Sequence, residues 1–572
     1  MMRLEPHVLV AVSLVAGGCA PGDPGGTTEP PLSVVEATIP EMQAAMAEGR
    51  ITARELVELH LARVERYEER LNAAITINEN ALAEADSLDA ERASGRVRGP
   101  LHGIPIALKD NIQTTHIPTT YGALAFRDYT PPYEATLTTR LREAGAIIIA
   151  KAGLTEFANW MAGAPNPMPG NYTAIAGYGY NPYDPRPDPR EGRDDGRPAL
   201  STGGSSSGIG TAASFWAANI GTDTGGSIIS PSNANMLVGI RPTLARVSRW
   251  GIAPVTLDHD MAGPMARTVT DAAIVLGVIE SAEPDPRDPA TGVCEAPPGG
   301  DYTPFLDPDG LRGARIGVPR VWYYEELTLT GADDPVGGLT DEQSALMAEA
   351  MEILVESGAT LVDPADVPSF VATDPDDNFH AWPLCIGGHQ DRAGDAGCTV
   401  NFKYGAKRDF NAWLATLGET APVRTLTELR EWNIAHAGEG AMKYGQSRFD
   451  ISDEMDLERD RARNEADMAK DARLSRDEGI DAVLERYELD AILTPGSTGA
   501  GLAARAQYPH IVVPFGFAAN DPTPPFPEGF DARPGPFGVG FTASACSEPR
   551  LIEIAYAFEQ ASRRRVPPPD LP

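Results

Sequence analysis

Positive charge, cysteine and long apolar runs are all scarce in this chain, and each shortage removes a class of function. Lys and Arg number 47 against 81 Asp and Glu over 572 residues, a formal net charge of −34 at pH 7. An acidic surface of that size repels phosphate backbones and anionic headgroups, so neither nucleic-acid binding nor adhesion through basic patches is expected. The five cysteines include no Cys-x-x-Cys pair, which leaves a zinc site of that kind without ligands. Beyond the N-terminus no stretch approaches the ~20 apolar residues that span a bilayer. Neither Gly-rich run ends in Gly-Lys-Ser/Thr, so a phosphate-cradling loop is absent. A Gly-x-Ser-x-Gly elbow in a strand–turn–helix setting is also missing, and none of the nine histidines stands in a triad setting.

The composition is that of a globular protein, with 42% hydrophobic and 22% charged residues. The N-terminus reads as an export signal. Arg3 precedes the apolar run Val8 to Ala16, which is followed by Gly17-Gly18-Cys19. That run is too short to cross a membrane but suits a signal peptide over residues 1–18. Small residues before Cys19 resemble a bacterial lipoprotein signal, in which the cysteine is lipidated and becomes the mature N-terminus. Ala16 stands where such signals usually carry Leu. Residues 19–35, rich in Pro, Gly and Thr, read as a flexible tether. The expectation is an exported chain, periplasmic or at the cell surface, touching the membrane only through a lipid on Cys19; plain secretion is the alternative. Four cysteines then remain, and an exported chain permits disulfides. Cys385 and Cys398, in one Gly-rich loop, are the expected pair.

Helix and strand patterns alternate. Thr38-Ile-Pro-Glu41 and Thr52-Ala-Arg-Glu55 are capping boxes opening helices. His60 falls on the apolar stripe of the second and reads as a packing residue. Strands are predicted at 103–110, 146–150, 311–318, 358–362, 490–494, 510–514 and 537–541. Helices are predicted at 137–144, starting near Leu154–Trp160, at 340–357 and at 548–562. The pattern predicts an α/β fold with a mixed central sheet covered by helices. Residues 36–565 are read as a single catalytic domain, with variable insertions near 163–200, placed on the surface, and 365–485, polar and helical. Residues 275–310, rich in Pro and Asp, read as a connection around the molecule.

Three segments carry chemistry: Ala107-Leu-Lys109-Asp-Asn111, Ser201-Thr-Gly-Gly-Ser205-Ser206-Ser207-Gly208 and Gly221-Thr-Asp-Thr-Gly225-Gly226-Ser227-Ile228. Two glycines before a serine let the backbone turn sharply and aim N–H groups at a developing oxyanion. Asp223 is placed to brace that turn by accepting backbone hydrogen bonds. A lysine ending an apolar strand is where burial can lower its pKa and make it a base for serine. Taken singly, each segment also reads as an ordinary flexible loop, surface ion pair or turn.

In this order the three segments resemble the amidase-signature family. So do Gly99-Pro-Leu-His-Gly-Ile-Pro-Ile-Ala-Leu-Lys-Asp-Asn-Ile112, Ala150-Lys-Ala-Gly-Leu-Thr-Glu-Phe-Ala158, Val238 to Thr243, Asp260 to Arg267 with Asp271, and Ser547 to Gln560. The resemblance covers roughly 36–320 and 485–565 and looks closest to bacterial general and peptide-amide amidases. It implies Ser227 as nucleophile, Ser205 as a bridging serine beside a cis peptide, and Lys109 as base. It further implies an oxyanion hole from the N–H groups of Thr224, Gly225, Gly226 and Ser227, with no metal and no organic cofactor. Ser205 and Ser227 are 22 residues apart, two fewer than the family's usual spacing, the deletion falling in Ala212–Asn219. Ser206 is therefore an alternative bridge. The implied reaction is hydrolysis of a linear carboxamide, small or peptidic, through an acyl-enzyme. An esterase-like acyl hydrolase, a catalytically silent surface-binding lipoprotein and a component of a glutaminyl-tRNA amidotransferase are the alternatives; acidity and the export signal disfavour the last.

Overall fold

The computed structural model describes residues 32–280, 283–385 and 392–572; the expected signal peptide, Cys19 and most of the tether lie outside them. Both capping boxes form. Thr38 and Thr52 accept the N–H of Glu41 and Glu55, whose carboxylates return to the cap N–H, opening helices Ile39–Ala47 and Ala53–Leu71. His60 is buried on the second helix with Leu56, Val57 and Val64. Its Nδ1 lies 3.1 Å from the Ser214 carbonyl, and desolvation pushes its pKa down to about 3, as befits a packing histidine.

The strands are β1 Ala74–Ile77, β2 Pro105–Lys109, β3 Ile147–Ala152, β4 Ala218–Asp223, β5 Val238–Arg241, β6 Met261–Ala266, β7 Arg315–Gly317, β8 Thr360–Val362, β9 Ala491–Pro495, β10 His510–Ala518 and β11 Gly535–Thr542. They form one sheet of 11 strands in the order β1-β3-β2-β4-β6-β5-β10-β11-β9-β7-β8. It is mixed: β2 runs parallel to β3 and β4, whereas β4 and β6, and β10 and β11, are antiparallel. Every residue of β2, β3, β4 and β6 is buried; strands covered on both faces read as nearly continuous apolar runs. Helices Val269–Ile279 and Glu548–Ser562 pack on the sheet and on each other. Among the described residues no helix is long and apolar enough to cross a membrane.

Two readings are corrected, and one is extended. The helix expected to start near 154–160 is instead a tight left-handed turn, with φ of +48°, +54° and +66° at Phe157, Ala158 and Asn159. Tertiary hydrogen bonds override the helical pattern there: Thr155 N–H donates to Ser205 O (3.1 Å) and Phe157 N–H to Tyr121 O (3.0 Å). Segment 163–200 is no mere surface insertion, since Tyr172, Tyr178, Asn181, Tyr183 and Asp188 are buried. Its polar side chains satisfy interior backbone, as where Asn181 Nδ2 donates to Ser201 O (2.7 Å) and Ala234 O (2.8 Å). A second disulfide, Cys294–Cys546, joins residues 252 apart in sequence, beside the expected Cys385–Cys398 pair.

The short 205–227 spacing closes without breaking the sheet. The helix between them is only Ile209–Ala212, ended by Ser214 at φ +56°. Trp216 then folds over Gly210, where a Cβ would meet the indole at 2.1 Å. Region 365–485 supplies helices Asn401–Thr416, Leu426–Ala435, Ser447–Asp453 and Arg461–Ala472. Phe402, Phe410, Trp413 and Phe449 from it share an aromatic cluster with Tyr121, Phe157 and Trp160, and Phe402 reaches Gly225 in the turn that follows β4.

Candidate active site

Parallel pairing of β2 with β4 brings Lys109 beside Thr222. Lys109 is fully buried, and its Nζ donates to Thr222 Oγ1 (2.8 Å), Thr222 O (3.2 Å) and Ser205 Oγ (3.1 Å). Burial pushes its pKa from 10.5 down to about 7, against the opposing charges of Asp223 and Asp260. The neighbour Asp110 turns away. Its carboxylate meets Lys151 Nζ at 3.1 Å and accepts the Thr120 N–H at 3.0 Å. Lys151 also donates to Ile112 O and Thr119 Oγ1, both at 2.7 Å. Two buried lysines thus divide one sheet end: Lys151 takes the carboxylate and Lys109 is left with hydroxyls and a carbonyl.

The two candidate serines differ in their bonding. Ser206 Oγ donates to Thr222 O (3.0 Å) and accepts from Thr222 N–H (3.2 Å), while its own N–H reaches Ser227 O (3.3 Å). It clamps backbone, and its hydroxyl is occupied. Ser205 is the one that Lys109 touches. The cis peptide implied at Ser205 does not occur: cis peptides among the described residues all precede proline. Hydrogen bonds from Thr155 N–H to Ser205 O and from Ser206 N–H to Ser227 O tie this stretch to both neighbouring segments.

Ser227 follows the turn leaving β4. Asp223 braces that turn, accepting from Gly226 N–H and Ile228 N–H at 2.7 Å each, and is itself paired with Arg241 at 2.5 Å. Gly226 has φ +117°, where L side chains are strained. Because its N–H donates to Asp223, Gly226 departs from the implied oxyanion set. The N–H groups of Thr224, Gly225 and Ser227 have no acceptor among the described residues. Gly204 lies against the segment that carries Ser227: a Cβ there would come within 3.1 Å of Pro231 Cδ and 3.6 Å of Ser227 Cα. Ser227 is half-buried and Gly225 exposed, while Ser205 and Lys109 are buried, so the row runs from interior to surface.

Some participants escaped the sequence reading. Thr222 links Lys109, Ser206 and Asn111, whose Nδ2 donates to Thr222 Oγ1 at 3.1 Å. Asp260 accepts the Thr224 hydroxyl and the Val255 N–H (2.8 Å), and burial pushes its carboxyl up to about 7. Asp260 lay inside a matched motif, which was its only signal. Phe402 approaches Gly225, within 3.8 Å of where a Cβ would stand, from a region that carried no motif. A small cavity of about 10 Å³ is lined by Ala158, Thr222, Thr224 and Asp260. Buried His259 and His510 are pushed down to about 3, first by desolvation. Among the described residues the one grouping with metal-ligating side chains is Cys385, Asp395 and Cys398, whose sulfurs are bonded to each other.

A family model described as Amidase matches residues 55–552. The chain belongs to the amidase-signature family. A probable amidase of Arabidopsis thaliana is 32% identical to this family member over 543 residues, 94% of this chain and 92% of that one. The native peptide amidase of Stenotrophomonas maltophilia has the same fold, with 33% identity and a TM-score of 0.76 over 93% of this chain and 98% of that one. A further peptide amidase structure, in complex with the competitive inhibitor chymostatin, matches equally at TM-score 0.76. Membership supports amide hydrolysis as the chemistry of this amidase-family chain.

Proposed function

We propose that the chain hydrolyses a linear carboxamide, on a small molecule or peptide, through an acyl-enzyme on Ser227. Neutral Lys109 takes the proton of Ser205 as Ser205 takes that of Ser227, whose oxygen attacks the amide carbon. N–H groups of the Thr224–Ser227 turn, Gly226 excepted, stabilise the oxyanion. The relay returns the proton to the leaving amine, and water repeats the attack to free the acid. The observation that carries this reading is a buried lysine with no carboxylate contact, 3.1 Å from Ser205 and pushed down to about 7. Neither the esterase nor the silent-binder reading finds support in the likenesses.

The test is kcat/KM against pH with an amide substrate. Activity should rise on its acid limb with a midpoint near 7, where Lys109 loses its proton. Ser227→Ala should abolish acylation and Lys109→Ala should remove that limb. A limb unchanged in Lys109→Ala, or turnover at wild-type rate in Ser227→Ala, refutes the relay.

We further propose that the chain is exported and lipidated on Cys19. Two disulfides, Cys294–Cys546 and Cys385–Cys398, support an oxidising compartment. Mass spectrometry of the native N-terminus decides it; a mature chain starting elsewhere with unmodified Cys19 sinks the anchor.

A further inference from the structure

A cavity of about 730 Å³ lies between segment 163–200 and residues 443–444 and reaches the loop before Ser205. Its wall continues into the site. Ser201 and Thr202 line it, Asn171 Nδ2 ties Thr202 Oγ1 (2.9 Å) to Gly204 O (3.2 Å), and Gly204 faces Ser227. A substrate whose amide sits at Ser227 has this space for its remainder.

The charge of the cavity is unlike that of the molecule. Its charged lining is Asp188, Arg190, Arg193, Asp195, Arg197 and Lys443, four cations and two carboxylates in a chain of net charge −34. Both carboxylates are saturated from within. Arg190 grips Asp188 with Nη2 at 2.6 Å and Nε at 2.9 Å. Asp195 accepts from Arg197 (2.8 Å) and from the hydroxyls of Tyr178 (2.6 Å) and Tyr444 (2.7 Å), with Lys443 at 3.4 Å. Arg193 alone of the four cations has no side-chain hydrogen bond or ion pair among the described residues; its backbone N–H donates to Arg190 O (2.9 Å). It is half-buried. A guanidinium in a concave, solvent-open site, with the neighbouring carboxylates already paired, attracts an incoming carboxylate and matches it with two parallel N–H donors.

We propose that Arg193 receives a carboxylate carried by the substrate, so that the enzyme favours acidic amides, such as peptide amides with a Glu or Asp side chain, over neutral ones. This rests on the amidase reading above. The rest of the lining fits that use: Arg190, Arg197 and Lys443 are held by their own partners and set a positive potential, while Arg193 is left to make the contact.

The experiment compares N-acetyl dipeptide amides that differ only in Glu or its neutral near-isostere Met. Wild type should favour the Glu substrate in kcat/KM by about tenfold at low salt, mostly through KM, with the preference shrinking as ionic strength rises. Arg193→Ala should erase the preference and Arg193→Glu should invert it, whereas Arg193→Lys should keep part of it. A wild type indifferent to the side chain, or a preference that survives in Arg193→Ala, overturns the proposal. Should neither amide be turned over, the catalytic reading has failed, and calorimetry with the Glu peptide amide on Ser227→Ala still decides this one. Binding about tenfold weaker in the double variant Ser227→Ala/Arg193→Ala upholds it; equal binding, or none to either chain, rejects it.

Discussion

A lysine that must stay neutral to act leaves a mark on stability as well as on rate. Lys109 has a folded pKa of about 7 against 10.5 for the free side chain. Between those values the unfolded chain binds more protons, so stability rises with pH through that window and is lost as pH falls toward 7. At ~1.4 kcal/mol per pKa unit, the cost of burying Lys109 is on the order of a few kcal/mol at pH 6. Lys109→Met should therefore be more stable than wild type at pH 6 by about 2–4 kcal/mol, with the gain vanishing near pH 10.5, as read by urea unfolding at both ends. A variant less stable than wild type at pH 6 would contradict burial as the cause. The two serines are separable in the same way. Ser206→Ala strips both Thr222 backbone groups of a buried partner and should cost about 1–3 kcal/mol while keeping turnover. Ser205→Ala should hold its stability and lose at least about 100-fold in kcat. Reversal of that pattern makes Ser206 the bridge. Asp260 acts on the same lysine from a distance. Its charge raises the Lys109 pKa, so Asp260→Asn should move the acid limb of kcat/KM to lower pH and, through the lost Thr224 contact, reduce kcat. An unmoved limb would assign Asp260 to folding alone.

The site is assembled from the ends of elements rather than their middles. β2 delivers Lys109 at its last residue and β4 delivers Asp223 at its last, so the chain can turn immediately beyond each. The turn at Phe157–Asn159 holds three successive non-glycine residues at positive φ. Non-glycine residues there cost about 1–2 kcal/mol each, held in place by bonds to Ser205 and Tyr121, and the turn delivers Ala158 to the cavity wall. Ala158→Gly should then change stability by less than about 0.5 kcal/mol, because relief at positive φ offsets the added freedom of the unfolded chain. The same change at exposed Ala83, inside the helix Ala81–Ala93, should cost about 0.5–1 kcal/mol. Equal losses at both positions would deny the strain.

Across the whole molecule, two disulfides close loops of very different length. Cys294–Cys546 spans 252 residues and binds the connection after helix Val269–Ile279 to the start of helix Glu548–Ser562, while Cys385–Cys398 spans 13. Chain-entropy reasoning makes the long closure worth more, by about 2.6 kcal/mol. Cys294→Ser with Cys546→Ser should therefore lower unfolding free energy by more than Cys385→Ser with Cys398→Ser, measured by denaturant titration under non-reducing conditions. The opposite ranking would mean that the unfolded chain already holds the ends of the long loop together.

Much of this protein is written locally. Capping boxes at Thr38 and Thr52, the final helix from Glu548 to Ser562 and the apolar strands β2 and β3 depend on neighbours within a turn or on a short continuous apolar run, so the sequence alone determined them. The order of Lys109, Ser205 and Ser227 and the family they resemble were legible for the same reason: their glycines and flanking residues are contiguous. Only the tertiary structure decided which partner each polar group takes. Asp110 sits next to Lys109 in sequence yet pairs with Lys151 on the neighbouring strand. Gly226 N–H turns to Asp223, Ser206 to Thr222, and Thr155 forsakes a helix for Ser205. Cys294 and Cys546 are bonded although 252 residues apart in sequence. A buried hydrogen-bonding group must find a partner somewhere, and the nearest in space is seldom the nearest in sequence.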